Sequence, residues 1–394
     1  MDGELLHDPQ VLRARAWLHE HDAETLAEQV RIAQIAAPPF AEHERGAYVA
    51  ARLRAIGLSD VHTDEVGNVV ARLPGRDAAA SPVVAAAHLD TVFAAGTPLQ
   101  PRQSGRRLYV PGIADNARGL AALLALGAAV VEAGLRPRAP LVFAATVGEE
   151  GCGDLRGAKH LLREGSPLRG AAAFVGLDGS GWRRIVHRAV GSRRLRFELR
   201  GPGGHSWADW GVANPLHALG AAVGALAALP LPAAPRTVLT VARLQGGSSV
   251  NAVPAEAWME LDLRSEGSAE LQSLEREVRA QFADAVRREN RRRAASTAAL
   301  EPNVRVIGDR PAGCTPADAP LVAAAAGATR ALGGRPTFVA ASTDANVAIA
   351  LGIPAITLGC GGESGGVHTP REWYSNDGGA RGLERVLLTL LTAS

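Results

Sequence analysis

Residues 82–91 read PVVAAAHLDT, and residues 141–150 read LVFAATVGEE. Each is a short apolar run that ends in a histidine or in carboxylates. An unbroken run of this length suits a strand buried on both faces, as at the centre of a parallel sheet. A third run, Ala171–Leu177, ends the same way, at Asp178. A strongly apolar helical pattern covers Gly119–Ala133, and Gly157–Arg163 reads as the start of another helix. Strands alternating with helices in this rhythm predict an α/β domain with a mostly parallel mixed sheet.

Upstream, residues 11–57 have helical spacing, with turn signals at Pro38-Pro39 and Gly57. VHTDEVGNVVARL, residues 61–73, alternates like one half-buried strand. Downstream the rhythm changes. Strand-like segments at 194–199, 237–244, 257–264 and 304–307 are interleaved with helical patterns at 214–229 and 269–289. Strand–helix–strand–strand–helix–strand is the order of a ferredoxin-like α+β sandwich. The α/β pattern resumes after Cys314, with a helix near 320–332 and strands near 337–339 and 353–358. The expectation is one domain inserted into another: residues 1–187 and 309–394 in the first, 188–308 in the second.

Composition sets the frame. The chain has 394 residues, 47% of them hydrophobic and 21% charged, with a net charge of +2. That hydrophobicity argues against disorder, and the near-neutral balance argues against nucleic-acid binding. Nearly all the basic residues are arginine, Lys159 being the one lysine. Arg-dense stretches occur at 183–196 and 287–293, and the second, on a helical pattern next to Glu289, reads as a solvated helix end. Three widely spaced cysteines, Cys152, Cys314 and Cys360, exclude a disulfide scaffold and a thiolate zinc finger, and suit a reducing cytosol. The opening MDGELLHDPQ is not a secretory signal. The apolar run 218–235 is cut by Pro230, Pro232 and Pro235. Its helical part, about 12 residues, is too short to span a membrane. A cytoplasmic protein is expected.

Charged residues gather where the strands end: His88 and Asp90 after the first run, Glu149 and Glu150 after the second, Asp178 after the third. Asp115, in GIADN, precedes the helix that begins near Gly119. The carboxyl ends of parallel strands converge on one crevice, so these side chains can meet there. A charge just past a strand is often only loop solvation, but four such positions with a histidine and several carboxylates suggest a metal centre. Imidazole and carboxylate without thiolate suit zinc, manganese or cobalt. His88 and Asp90, two apart on an extended segment, point the same way, so Asp90 can accept the second ring N–H of His88. Glu149 and Glu150, adjacent at a strand end, are expected on opposite sides, one toward metal and one toward substrate as a general base.

HLDT (88–91), GIADNARG (112–119), VGEEGCGDLRGAKHL (147–161), LDGSG (177–181), GPGGHSW (201–207), GGSSVNAVP (246–254) with LDLR (261–264), and GGVHTPREW (365–373) follow one another along the chain. In these motifs and their order the chain resembles the co-catalytic zinc peptidases that include peptidase T, carboxypeptidase G, acetylornithine deacetylase and succinyl-diaminopimelate desuccinylase. LRGAKHLL and GPGGHSW are most similar to the peptidase T branch. The resemblance implies a phosphorylase/hydrolase-like zinc-peptidase domain carrying a ferredoxin-like lid and dimerisation domain. It also implies two divalent ions per subunit, zinc with cobalt or manganese as alternatives. His88 and Asp178 would hold one ion, Glu150 and His368 the other, and Asp115 would bridge them. Asp90 would orient His88, and Glu149 would deprotonate the bridging water and later protonate the leaving amine. The Asp115–Asn116 peptide would be cis. His205 would reach the active site of a partner subunit and stabilise the oxyanion. Asn251 and Arg264 match positions that grip the substrate, although Arg264 equally suits a surface ion pair. Asp344, with Ser342 and Thr343, resembles a pocket-lining loop.

The resemblance thus implies a homodimeric metal-dependent amide hydrolase with no nucleic-acid or membrane partner. Asp178, where deacylases tend to carry Glu, tilts the expected substrate toward short peptides, for an aminopeptidase or a di- or tripeptidase. The alternatives are an N-acyl-amino-acid amidohydrolase and a non-catalytic peptide-binding relative. GESGG (362–366) also fits G-x-S-x-G, but Val367-His368-Thr369-Pro370 follows where a nucleophile elbow needs a helix, and no later histidine exists.

Overall fold

The apolar runs are neighbouring strands. In a computed structural model that describes residues 3–394, Leu141–Thr146, Val83–His88, Ala173–Leu177 and Ala355–Leu358 lie side by side in that order and run parallel. Their side chains are buried along the whole of each strand. The alternation is present but hidden, because both faces are covered. Val83, Ala85 and Ala87 join one core with helices Ala117–Glu132 and Gly379–Ala393, while Val84 and Ala86 join another with Arg156–Leu161 and Ala345–Ala350. The flanks make the sheet mixed: Val69–Leu73 and Ser59–Thr63 add antiparallel on one side, Arg184–Ala189 on the other. Thr337–Ala341 then pairs parallel with Arg184–Ala189.

The single strand expected over 61–73 is a hairpin instead. The Asp64 carboxylate accepts N–H groups from Val66, Gly67 and Asn68, and Gly67 takes the left-handed conformation at φ +103°, which turns the chain. A small antiparallel sheet of three-residue strands, Glu363–Gly365, Trp373–Ser375, Arg107–Tyr109 and Arg102–Ser104, leaves no signal in the sequence because such strands are too short to show a period.

By its contacts the chain divides into two compact units, Met1–Ala189 with Cys314–Ser394, and Val190–Gly313. The second holds an antiparallel sheet in the order Thr237–Gly246, Glu256–Ser265, Gly191–Arg200, Glu301–Arg310. Helices Pro215–Ala227 and Ser268–Arg292 pack with it around Leu219, Phe197 and Phe282, whose two aromatic rings lie 4.6 Å apart. This is the ferredoxin-like arrangement. Its last strand runs to Arg310, past the crossing read near 309; most of its residues are exposed or half-buried, so little periodicity marked it. Among the described residues no helix is long and apolar enough to cross a membrane.

Candidate metal centre

Parallel strands end on one edge, and the chemistry collects there. His88 closes its strand, Thr146 leads into Gly148-Glu149-Glu150, and Leu177 precedes Asp178. Asp115 arrives on a separate turn and His368 on a loop, the latter with a left-handed backbone at φ +64°. Three groups of donors form: His88, Asp115 and Asp178; Asp115, Glu150 and His368; His88, Glu149 and Glu150. Within each group the ligating atoms lie within 4.8 Å of one another. Asp115 spans two groups, with Oδ1 3.0 Å from His88 Nε2 and Oδ2 2.9 Å from His368 Nε2. His368 Nε2 also lies 2.8 Å from Glu150 Oε1, and Asp178 Oδ1 is 4.0 Å from His88 Nε2.

Two sequence expectations change. Glu149 and Glu150 do not diverge, since both reach the neighbourhood of His88. Gly148 is left-handed at φ +64°, so the strand alternation ends before them. A Cβ on Gly148 would lie 2.7 Å from Arg156 Cγ and Nε. Arg156 itself is clamped to both oxygens of Glu42 at 2.7 Å. Asp90 also works differently. His88 Nδ1 lies 3.0 Å from the backbone oxygen of Asp90 and 3.6 Å from its carboxylate. That carboxylate accepts the N–H groups of Glu149 and Glu150 at 2.9 and 2.7 Å, fixing the turn that carries them.

The Asp115 turn is held by residues to which the sequence alone assigned no role in shaping it. Glu372 is fully buried and accepts N–H groups from Gly112, Ala114 and Asp115 at 3.0, 2.8 and 3.0 Å. Burial pushes its carboxyl up to about 7, against the pull of those donors. Gln29 donates to Ile113 O at 2.8 Å. Asn116, joined to Asp115 by a cis peptide, caps helix Ala117–Glu132 through Gly119 N and donates to Leu177 O at 2.9 Å. Gly119 is obligatory, because a Cβ there would sit 2.3 Å from Leu177 O. Beneath the HLD segment, Arg45 is fully buried and donates to Leu89 O at 2.8 Å. The sequence hint for Glu372 lay inside VHTPREW, four residues after His368, but nothing in one chain says which acid of a motif faces inward.

The electrostatics fit a cation. The Asp90 carbonyl takes the Nδ1 proton of His88, so Nε2 faces the buried Asp115 Oδ1 at 3.0 Å. A neutral ring would put its lone pair against a carboxylate. Burial disfavours a charged ring, yet the Asp115 and Asp90 carboxylates hold the His88 pKa well above the ordinary imidazole value. Hydrogen bonding to Asp115 and Glu150 likewise lifts His368 to about 10. Burial, then the charges of Asp115 and Glu150, push the Asp178 carboxyl up to about 7. A cation would replace those protons and relieve that crowding, and imidazole with carboxylate donors suits zinc, manganese or cobalt.

The remaining candidate residues are outside these donor groups. Asp344 is buried and its Oδ2 accepts from Thr146 Oγ1 at 2.5 Å, so its neighbour Thr343 is the member of that loop on a cavity wall. In the second unit, His205 pairs with Ala252 in a two-residue ladder, which brings Ser206 N to 3.0 Å from Asn251 O. His205 Nδ1 accepts from the N–H groups of Trp207 and Ala208 at 3.2 and 3.3 Å, which leaves its proton on Nε2. Asn251 Oδ1 accepts from Ser249 Oγ at 2.5 Å, and Arg264 pairs with Asp262 at 2.8 Å. Ser364 lies on a short strand, 2.7 Å from the Ser180 hydroxyl, and the next element is another strand, Trp373–Ser375, not a helix.

The fold and the family follow from comparison. The model of peptidase family M20/M25/M40 matches residues 84–392. No curated protein matches the sequence. Similar solved structures include the aminopeptidase PepT from Bacillus cereus, 21% identical over 94% of this chain and 98% of that one, with a TM-score of 0.75. A tripeptidase from Staphylococcus aureus is 20% identical over 94% and 96%, at 0.75. A dinuclear metal-binding peptidase from Bacillus subtilis is 17% identical over 95% and 98%, at 0.68. With its match over most of its length, the chain belongs to peptidase family M20/M25/M40 and is a metal-dependent hydrolase.

Proposed function

We propose that the chain is a zinc-dependent aminopeptidase or di- or tripeptidase of short peptides. His88 and Asp178 would hold one ion, Glu150 and His368 a second, and Asp115 both. One observation carries this: the two oxygens of Asp115 meet the two imidazoles, so a single carboxylate belongs to two donor groups. Two divalent cations bound there would supply Lewis acidity, lowering the pKa of water and polarising the scissile carbonyl. The protein's own groups do the rest. The Asp90 carbonyl fixes the His88 ring, and its carboxylate fixes the turn of Glu149. The Glu149 carboxylate takes a proton from the attacking water and returns it to the leaving nitrogen.

His205 donates its Nε2 proton to the developing oxyanion of a partner subunit's substrate. Asn251 and Arg264 grip the substrate backbone or carboxylate, Arg264 leaving Asp262 to do so. Asp344 acts from behind, through its charge on Asp178. A homodimer joined through Val190–Gly313 is supported by apolar side chains exposed on the outer strands, Val238 and Leu244 on one and Val306 and Ile307 on the other. All three cysteines are free thiols, which supports a cytoplasmic setting. Asp178 in place of Glu, together with the aminopeptidase and tripeptidase among similar structures, favours peptides over N-acyl amino acids.

The test is metal-reconstituted enzyme on matched panels of di- and tripeptides and of N-acetyl and N-succinyl amino acids. Peptide hydrolysis is expected, lost to a chelator and restored by zinc. Faster turnover of the acylated panel would replace this reading with a deacylase.

A further inference from the structure

Beside Asp115 and Asp178, in the same unit, lies a cavity of about 200 Å3. Ligand sites for drug-sized molecules run to roughly 300–1,000 Å3, so this one takes a single side chain. Its walls are mostly neutral. Ser180 and Ser364 hydrogen-bond each other at 2.7 Å, as do Thr343 and Thr357, which uses much of their capacity. The charged residue in the lining other than the two aspartates is Arg184. It sits on strand Arg184–Ala189, where Ile185 turns into the core and Arg184, on the opposite face, turns to the cavity.

Arg184 differs from the arginines around it. Arg183 stacks on the Trp182 ring, and Arg385 spends its guanidinium on the carbonyls of Arg184 and Gly359. Arg184 is exposed, and its side chain has no hydrogen bond, ion pair or ring contact among the described residues. A free guanidinium in a cavity wall is a fork for a carboxylate. We propose that Arg184 makes this cavity a subsite for an acidic side chain, so that the preferred substrates carry Asp or Glu as their N-terminal residue.

The assignment rests on the peptidase reading above, in which Glu149 protonates the leaving nitrogen. The cavity is lined by Asp115 and Asp178, the carboxylates that in that reading hold ions against the scissile carbonyl. The residue held there is therefore assigned to the acyl side of the scissile bond, which in a dipeptide is the N-terminal one. Its carbonyl end faces the aspartates, and its carboxylate faces Arg184.

The test compares kcat/KM for Asp-Ala, its neutral isostere Asn-Ala, the reversed Ala-Asp, and N-succinyl-alanine. Wild-type enzyme should prefer Asp-Ala over Asn-Ala. That ratio should fall about 10- to 100-fold in Arg184→Met, the loss of one charge-assisted contact, and invert in Arg184→Glu. Equal use of Asp-Ala and Asn-Ala, or a preference that survives Arg184→Met, overturns the proposal. So does a preference for Ala-Asp, which puts the carboxylate on the leaving side, or for N-succinyl-alanine, which makes the ligand an acyl group. Should no peptide be cleaved, the peptidase reading falls. The subsite is then decided by thermal stabilisation with L-aspartate over L-asparagine: its loss in Arg184→Met supports the subsite, and its absence from wild-type protein overturns it.

Discussion

At the scale of the residue, position and role separate cleanly around Glu149. Its backbone N–H is pinned by Asp90, and it shares a donor group with His88 and Glu150. Glu150, not Glu149, falls in the group with Asp115 and His368. Replacing Glu149 with Gln should therefore leave the metal content near wild type and lower kcat by about 10²- to 10⁴-fold, the range for a lost general acid–base. Metal analysis beside steady-state kinetics checks both halves; wild-type turnover would remove the proton-transfer role. Adjacent glutamates were legible in the sequence as a metal-and-base pair. Their directions were not, because the left-handed Gly148 cancels the strand alternation on which a direction depends.

At the scale of the element, the least legible feature was the turn of residues 112–116. It belongs to no strand, and its shape comes from distant partners: Gln29 on the helix Asp22–Ala33, Leu177 at a strand end, and Glu372 from the loop after His368. Glu372 is a positioning residue, since it acts on the backbone of Asp115. Glu372→Gln keeps the volume but sets an NH₂ against N–H donors, leaving at least one of the three N–H groups unpaired. Metal affinity, read by competition with a chelator, should weaken about 10- to 100-fold, as for other partners that orient ligands. Glu372→Asp should recover part of it. Unchanged affinity in Glu372→Gln would show that the turn keeps its shape without this residue. The strands themselves were easier to read. A run such as VVAAA, buried on both faces, has no other stable home, whereas the edge strand Glu301–Arg310 has little burial and so little pattern.

At the scale of the whole molecule, two units carry the proposed machinery: the metal donors in one, and His205, Asn251 and Arg264 in the other. If His205 serves the partner subunit, the defects of His205→Ala and Glu149→Ala lie in complementary sites. Mixing the two impaired proteins under exchanging conditions should then restore turnover, because each mixed dimer holds one complete site. No recovery, with exchange verified by tagged subunits, would place His205 in its own subunit's site. The sequence by itself determined the strand–helix rhythm, the ferredoxin-like order of the insertion and the residue types of the donor set. These are local properties, written in spacing and composition. The tertiary structure decided which donors share Asp115, which oxygen of Asp90 holds His88, and that Glu372 and Arg184 face inward. Those are matters of distance between segments far apart in the chain, where hydrogen-bond geometry and burial act and sequence spacing carries no information.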